Sequence, residues 1–258
     1  MTPEDSSNAF DDNWNPEAYL ETYYNRGVHS DERQTYEWVA NILQKDNRGY
    51  ESMLEVGSGP TVHNIPLFIP YVGSVDMSDY LENNLAQIRK WVNRDPKAHD
   101  WSAYIGECLR IEQGSYEPAD IEKRADAMRQ KIRMLRHVDL SQPKPLGDES
   151  VYPLVTAFYC MGGATKSIEQ WQQFMGGIMS LVAPKGRLII TDFKKATSYH
   201  VGEAIFPNAT IDEHVMASVL KNSGLFRAET IEVAAKPIIE GAEIGISEFL
   251  VASATRIA

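Results

Sequence analysis

Leu54-Glu55-Val56-Gly57-Ser58-Gly59-Pro60-Thr61 is the stretch that decides the fold. Its apolar start, from Met53 to Val56, predicts a short strand that runs directly into a glycine turn. Gly57 and Gly59 let the backbone turn tightly and approach a ligand where a Cβ would collide. A second apolar stretch ends about 20 residues later at Val75-Asp76, and an acid at that point can accept hydrogen bonds from both hydroxyls of a ribose. These segments predict a nucleoside-binding crevice at the carboxyl end of a parallel sheet.

The glycine pattern also bears on which nucleoside is bound. A dinucleotide fold has three spaced glycines and seats its pyrophosphate on a helix N-terminus. Here the third position falls in Pro60-Thr61-Val62-His63, which contains no glycine. Because S-adenosylmethionine carries no phosphate, it fits a Glu-x-Gly-x-Gly turn followed by an acidic strand better. A nicotinamide-dependent oxidoreductase and a non-catalytic protein that binds S-adenosylmethionine are the alternatives.

Composition limits the class of protein and its partners. With 258 residues, 43% of them hydrophobic, the chain is expected to form a single domain over residues 1–258. A net charge of −11 disfavours nucleic acid and anionic membranes as partners, and favours a small-molecule substrate. Cys108 and Cys160 lie far apart without the spacing of metal ligands, so we expect reduced thiols and no metal. No leader or long apolar run occurs, which predicts a cytoplasmic protein; the oligomeric state is left open.

Strands alternate with helices along the chain, which predicts a doubly wound parallel sheet. Asn15-Pro16 predicts the start of a helix, and we expect residues 14–45 to form a helical lid, with residues 1–12 disordered. The last two strands are joined too closely for a crossover helix and should be antiparallel. An α/β sheet of this kind is typical of the class I methyltransferase (Rossmann-like) fold. The remaining boundaries are helices over 80–92, 117–136, 167–182 and 212–223, and strands over 104–108, 137–140, 152–160, 187–192, 226–233 and 247–253.

Several separate segments resemble one family of enzymes. They are Asn15-Pro16…Tyr19-Leu20…Tyr23-Tyr24, Gly57-Ser58-Gly59-Pro60-Thr61, Asp100-Trp101-Ser102, Asp139…Pro145-Leu146-Gly147 and Ser198-Tyr199…Gly202-Glu203. In this order they are similar to the small-molecule methyltransferases that include nicotinamide, phenylethanolamine, thioether and indolethylamine methyltransferases. The resemblance covers nearly the whole chain and implies a methyltransferase that uses S-adenosylmethionine on a small acceptor.

The resemblance implies a role for particular residues. Tyr19 and Tyr24 match lid tyrosines at the methionine part of the cofactor, and Tyr23 lies beside them at the substrate. The other cofactor contacts implied are Gly57, Ser58, Gly59 and Thr61 at the amino-acid end, Asp76 and Asn84 at the ribose and adenosine, and Asp139 and Leu140 at the adenine. Asp192 and Tyr199 match positions that line the acceptor pocket.

Departures from the family pattern indicate a different acceptor. His63 replaces a frequent tyrosine, while Gly162 and Ala196 stand where amine-methylating members have polar or acidic groups. We therefore expect an indole or tryptophan-derived acceptor, methylated on carbon or nitrogen; another small amine or a pyridine is the alternative. Methylation of an indole carbon is helped by removal of the ring N–H proton, which a His or a carboxylate can accept. The candidates for catalysis and substrate binding are Asp192, His200, Tyr23 and Tyr199, with His63, Glu243 and Glu248 as further proton acceptors.

Overall fold

The computed structural model describes residues 13–239 and 246–258, so the expectations for residues 1–12 and for Glu243 lie outside the described residues. Within those ranges the main sheet has seven strands in the order β3-β2-β1-β4-β5-β9-β8. The strands are β1 (Tyr50–Val56), β2 (Val72–Asp79), β3 (Ile132–His137), β4 (Tyr152–Phe158), β5 (Val182–Phe193), β8 (Glu232–Pro237) and β9 (Glu248–Thr255). β1 to β5 are parallel, and β9 pairs antiparallel with both β5 and β8. The predicted mostly parallel sheet with an antiparallel C-terminal pair is confirmed.

The helices follow the start signals of the sequence. They are α1 (Pro16–Tyr24), α2 (Ser30–Asp46), α3 (Glu82–Val92), α4 (Ser102–Gln113), α5 (Pro118–Lys131), α6 (Ile168–Ser180) and α7 (Glu213–Asn222). The Asn15 side chain accepts hydrogen bonds from the backbone N–H groups of Glu17 and Ala18, and Pro16 supplies the first helical residue. These caps satisfy donors that have no partner inside the helix, and they fix where α1 begins.

Each face of the sheet carries its own buried cluster. Successive side chains of a strand point to opposite faces, and β1 shows this directly. Met53 packs with the helices α2 to α5, whereas Leu54 and Val56 pack in a second cluster with Trp171 of α6. Burial on both faces requires the continuous apolar runs from which these strands were predicted.

Some predicted elements are wrong. Residues 104–108 lie inside α4, where Tyr104, Ile105 and Cys108 are buried on one helical face. A short apolar run cannot distinguish a strand from a buried helical segment by periodicity alone. The helix predicted over 117–136 ends at Lys131, and its last residues form the edge strand β3 in place of the strand predicted over 137–140. A hairpin that was not predicted, β6 (Ser198–Val201) with β7 (Ala204–Pro207), follows β5.

The N-terminal helix lies against this hairpin at the carboxyl ends of the parallel strands. The Tyr23 hydroxyl donates a hydrogen bond of 2.7 Å to the carbonyl oxygen of His200, and the Gly202 N–H donates one of 3.4 Å to Thr22 Oγ1. Trp14 packs edge-on against Phe206, with 5.6 Å between ring centroids. These contacts place α1 over the edge at which the strands end. Across the described part of the chain, no helix combines the length and apolar character needed to cross a membrane.

Candidate active site

A cavity of about 810 Å³ opens at the carboxyl ends of the parallel strands. It brings together twelve of the residues predicted for the site: Tyr19, Tyr23, Tyr24, Gly57, Ser58, Gly59, Thr61, Asn84, Asp139, Leu140, Tyr199 and His200. Asp76 and Asp192 do not line the cavity. We name two parts of the cavity after the ligands expected there. The cofactor limb lies at the ends of β1 and β2, and the acceptor limb is formed by residues after β4 and β5 and by the hairpin β6–β7.

The glycine turn after β1 has the backbone that the sequence predicted. Gly57 and Gly59 adopt left-handed φ angles of 66° and 59°, which side chains disfavour. A Cβ on Gly57 would lie 2.6 Å from Cys160 Cβ, so the turn approaches the segment after β4 too closely for any other residue. The Ser58 N–H donates to the Ser78 carbonyl oxygen at 2.9 Å, and the Thr61 hydroxyl donates to the Ser58 carbonyl oxygen at 2.8 Å. These hydrogen bonds fix the conformation of the turn where it lines the cavity.

Asp79, which the sequence analysis missed, is the acid at the tip of β2. It accepts hydrogen bonds from the Gly59 N–H at 2.8 Å, the Leu81 N–H at 2.9 Å and Asn84 Nδ2 at 3.0 Å. Burial raises the pKa of its carboxyl above the usual range, although these donors oppose that effect. Asp79 thus joins the glycine turn to Asn84 in the cofactor limb, where a ribose was expected.

Asp76 has a different role from the one predicted. Its carboxylate accepts hydrogen bonds from Arg133 Nη2 at 3.0 Å and from the Tyr152 hydroxyl at 2.7 Å, and the residue is fully buried. β2 continues past Asp76 to Asp79, so Asp76 lies inside the strand and joins β2 to β3 and β4. The strand pattern could have indicated this extension, because Met77 and Ser78 keep the alternation that a continuing strand requires.

Aromatic side chains of α1 enclose the cofactor limb. Tyr24 lies 4.7 Å from His63 and 5.2 Å from Trp101 between ring centroids, and Tyr19 lies 5.0 Å from Trp14. Burial raises the pKa of the Tyr24 phenol well above its usual value, so it stays neutral and can donate a hydrogen bond. Trp14 Nε1 donates to Asn84 Oδ1 at 2.7 Å, which ties the segment before α1 to the cofactor limb.

His63 and Glu32 form a buried polar contact beneath these rings. His63 Nε2 lies 3.5 Å from Glu32 Oε1, and His63 stacks on Trp101 at 5.4 Å. Burial lowers the pKa of His63 to about 3 and raises that of Glu32 well above its usual range. Since burial disfavours the charged form of each group, His63 is a neutral ring at neutral pH. It lines the cavity but cannot supply a positive charge there.

Asp192 lies behind the wall of the acceptor limb. One carboxylate oxygen accepts from the Gly162 N–H at 2.9 Å and from Trp171 Nε1 at 3.2 Å, and the other accepts from the Phe193 N–H at 2.9 Å. Burial raises its pKa to about 6. The segment from Met161 to Gly163 separates it from the cavity, so the prediction that Asp192 lines the acceptor pocket is wrong. Glu248, at the start of β9, pairs with Lys194 at 3.0 Å and does not line the cavity either.

The acceptor limb has mainly aromatic walls. Tyr159 and Phe193 pack with 4.6 Å between ring centroids, and Tyr199 stacks on Phe206 at 5.4 Å. His200 lines the rim from β6, where it is exposed. Among the described residues, Asn208 Oδ1 is a buried oxygen with no hydrogen-bond partner, and Asn208 lines the cavity. Asp31, Tyr159 and Asn208 carried no motif in the sequence, since distant segments bring them together.

The sheet order and the position of this cavity define the class I fold of S-adenosylmethionine-dependent methyltransferases. Among solved structures, the N-methyltransferase NodS of Bradyrhizobium japonicum with S-adenosylhomocysteine superposes with a TM-score of 0.57 at 13% identity, covering 93% of this chain and 96% of that one. The magnesium protoporphyrin IX methyltransferase of Synechocystis with bound S-adenosylmethionine gives a TM-score of 0.55 at 14% identity, covering 97% and 92%. These likenesses show the fold.

The chain belongs to the NNMT/PNMT/TEMT family, whose family model matches residues 4–243. The nicotinamide N-methyltransferase of Sus scrofa is 26% identical over 235 residues, 88% of each chain. The indolethylamine N-methyltransferase of Mus musculus is 26% identical over 225 residues, 83% of each chain. The phenylethanolamine N-methyltransferase of the same species is 24% identical over 219 residues, 81% of this chain and 73% of that one. The protein is therefore a methyltransferase that uses S-adenosylmethionine, and the oxidoreductase and non-catalytic alternatives are excluded.

Proposed function

We propose that this enzyme methylates a small aromatic nitrogen-containing metabolite, an indole or tryptophan-derived compound, on carbon or nitrogen. The observation that carries the proposal is the acceptor limb, whose aromatic walls suit a flat ring. The residues that follow β4, from Cys160 to Gly163, bring no charged side chain to it. This segment therefore offers no counter-charge to an ammonium, and the carboxylates that line the cavity come from other elements. Asn208 also lines the cavity, and its amide N–H can donate a hydrogen bond to a polar atom of the bound molecule.

The catalytic task of the protein is to position the reactants and to exclude water. S-adenosylmethionine supplies an electrophilic methyl group when bound. We assign the turn at Gly57, together with Asp79 and Asn84, to holding the amino-acid end and the ribose, and Asp139 and Leu140 to the adenine. Tyr19 and Tyr24 then close over the methionine part as a lid, with Tyr23 beside them at the substrate. Holding two reactants in line can supply roughly 7–11 kcal/mol of the barrier, and that is the main demand of a displacement at a sulfonium methyl.

A second candidate is N-methylation of another small amine or a pyridine. The names of the relatives favour it, because they include nicotinamide and phenylethanolamine enzymes. The two candidates place different demands on the acceptor limb, since an amine needs a counter-charge whereas an indole needs a flat apolar slot and an acceptor for its N–H. We also propose that the enzyme acts in the cytoplasm on free small molecules, in keeping with its net charge of −11.

A substrate panel tests the proposal. Turnover is measured with S-adenosylmethionine against phenylethanolamine, nicotinamide, tryptamine and tryptophan-containing cyclic dipeptides. We expect the highest kcat/KM for an indole, with the methyl position determined by NMR of the product. If phenylethanolamine or nicotinamide is the best substrate and the indoles are inert, the indole proposal is wrong while the fold and the cofactor stand.

A further inference from the structure

Asp31 is an acid that lines the cavity and belongs to none of the motifs described above. It is the second residue of α2 and lines the cavity, although α2 precedes the first strand of the sheet. Its carboxylate interacts with the backbone N–H groups of residues 31 and 32 and with the Tyr159 hydroxyl. A carboxylate offers about four lone-pair sites, so Asp31 can also accept a hydrogen bond from a bound molecule.

Tyr159 fixes Asp31 beside the acceptor limb. The Tyr159 hydroxyl lies 2.8 Å from Thr35 Oγ1, four residues after Asp31 on the same face of α2. The Tyr159 backbone has a left-handed φ of 51°, an arrangement that costs energy for a bulky residue. The next residue, Cys160, contacts the Gly57 turn, so the Asp31–Tyr159 pair stands where the two limbs of the cavity meet.

The other carboxylates that line the cavity have different surroundings. Asp79 is bound to the glycine turn, and Asp139 accepts hydrogen bonds from Ser141 and Gln142 at the adenine end. Glu32 accepts from the His29 N–H at 2.9 Å and faces His63. Asp192 is behind the wall. Asn208 also lines the cavity, but its amide cannot take up a proton.

We propose that Asp31, positioned by Tyr159, binds the ring N–H of an indole acceptor and accepts its proton as the ring carbon C3 is methylated. This role rests on the proposed function. The π-electron pair of the C2=C3 double bond forms the bond from C3 to the methyl carbon as the sulfur–methyl bond breaks, and the electron pair of the broken bond stays on sulfur to give S-adenosylhomocysteine. The N–H proton passes to the Asp31 carboxylate, and the N–H electron pair forms the C=N bond of the product. Burial raises the pKa of Asp31 above its usual value, which makes the carboxylate a better proton acceptor.

The test compares a tryptophan-containing cyclic dipeptide with the same compound methylated on its indole nitrogen, which has no N–H to give. Asp31→Asn should lower kcat/KM for the N–H compound by about 100-fold, because positioned acid–base groups contribute about that much or more. For the N-methylated compound, whose product is an iminium cation, the loss in Asp31→Asn should be about tenfold at most, since the variant removes a counter-charge but no proton is transferred. Tyr159→Phe should also lower kcat/KM for the N–H compound more than for the N-methylated compound, though by less than Asp31→Asn does. A loss that is larger for the N–H compound distinguishes a positioning role from general damage to the enzyme.

Glu169→Gln is the matched control, because Glu169 is the second residue of α6, is exposed and does not line the cavity. It should behave as wild type with both compounds. Calorimetric binding of S-adenosylhomocysteine should be unchanged in every variant, which shows that the cofactor limb is intact. Equal losses on the two compounds, or full activity of Asp31→Asn on the N–H compound, would overturn the role of Asp31. Failure of the wild-type enzyme to methylate the N–H compound would instead overturn the proposed function and this role with it.

Discussion

Asp76 and Asp79 belong to the same strand, and both are buried, yet their carboxylates have different partners. Asp79 binds the glycine turn and Asn84, whereas Asp76 binds Arg133 and Tyr152. Hydrogen bonds to a charged group contribute about 1.5–3 kcal/mol each. Asp79→Ala should therefore weaken binding of S-adenosylmethionine by at least about tenfold, as measured by isothermal titration calorimetry.

Asp76→Ala is the matched change within the same strand. It leaves the cofactor limb intact and removes the acceptor of Arg133 and Tyr152, so it should lower the free energy of unfolding by about 1–3 kcal/mol. The affinity of the folded protein for S-adenosylmethionine should stay within about twofold of wild type. If Asp76→Ala loses cofactor affinity and Asp79→Ala does not, the assignment of Asp79 is wrong.

Asp192 gives the protein a pH-dependent stability that can be tested separately from activity. Its pKa is about 6 in the folded state, above the ordinary value of 3.8, because it is buried. The folded state then binds more protons than the unfolded state between about pH 4 and 6, so this carboxyl lowers stability as the pH rises through that window. The amide in Asp192→Asn stays neutral at every pH in this window. The free energy of unfolding of this variant should therefore increase relative to wild type as the pH rises from about 4 to 6, by about 3 kcal/mol at most.

Urea unfolding at intervals from pH 4 to 7, at constant ionic strength, measures this difference. Asp148→Asn is the comparison, because hydrogen bonds from Ser150 lower the pKa of Asp148 to about 2. Asp148 is therefore ionised throughout the upper part of the window, and its variant should differ from wild type by a constant amount there. A difference between wild type and Asp192→Asn that does not change with pH would show that the buried carboxyl does not take up a proton on folding.

Contacts at its two ends and between aromatic rings hold α1 in place. Leu20 is the one residue of α1 that is fully buried among those described, and Tyr23 binds the hairpin through a single hydrogen bond. A helix with so little buried apolar surface should open more readily than the sheet. Hydrogen exchange over residues 14–30 should slow markedly when S-adenosylhomocysteine and an acceptor are added together, while exchange in β5 stays unchanged. Equal protection of residues 14–30 with and without ligands would show that they are not a lid.

The central strands were predicted well from the sequence, because a strand that is buried on both faces is a continuous apolar run. β1, β4 and β5 are apolar runs next to turn signals, and their positions followed from that pattern. Elements at the edge of the fold have a weaker hydrophobic pattern, because they are partly exposed. β3 is half-exposed and continues directly from α5, so its residues were predicted to be the end of a helix. The hairpin β6–β7 was missed for the same reason, since only Val201 and Phe206 of its strands are fully buried.

The cofactor limb was predictable to a greater extent than the acceptor limb. The glycine turn, Asn84 and the lid tyrosines lie near one another in sequence motifs, and the structure brings them together. The acceptor limb depends on the tertiary fold. Asp31 and Tyr159 are far apart along the chain and meet only because α2 lies across the end of β4. Asp192 was misplaced because sequence position alone does not show that the Gly162 segment passes in front of it.

The two limbs share one cavity and the tyrosines of α1 that line it, so binding in each should affect the other. Trp14 and the α1 tyrosines line both the cofactor side and the side of the hairpin. Binding of the first ligand orders α1 and lowers its conformational entropy. The second ligand then binds a helix that is already ordered, so its binding carries a smaller entropic cost. The affinity for an indole acceptor should therefore be about 5–150-fold higher with saturating S-adenosylhomocysteine than without it, and the reverse coupling should be equal in size.

Calorimetry of each ligand in the presence and absence of the other measures this coupling, and a thermal-shift experiment supports it. S-adenosylhomocysteine at 100 times its Kd should stabilise the folded protein by about 2.7 kcal/mol and raise Tm by roughly 5–10 °C. Tyr23→Phe removes the hydrogen bond between the lid and the His200 carbonyl, so it should reduce the coupling more than it reduces either affinity alone. Glu21→Gln is the control on the same helix, because Glu21 is exposed and its contact is with Asn25 within the lid segment. Equal acceptor affinity with and without S-adenosylhomocysteine would mean that the two limbs bind independently and that α1 is a fixed wall of the cavity.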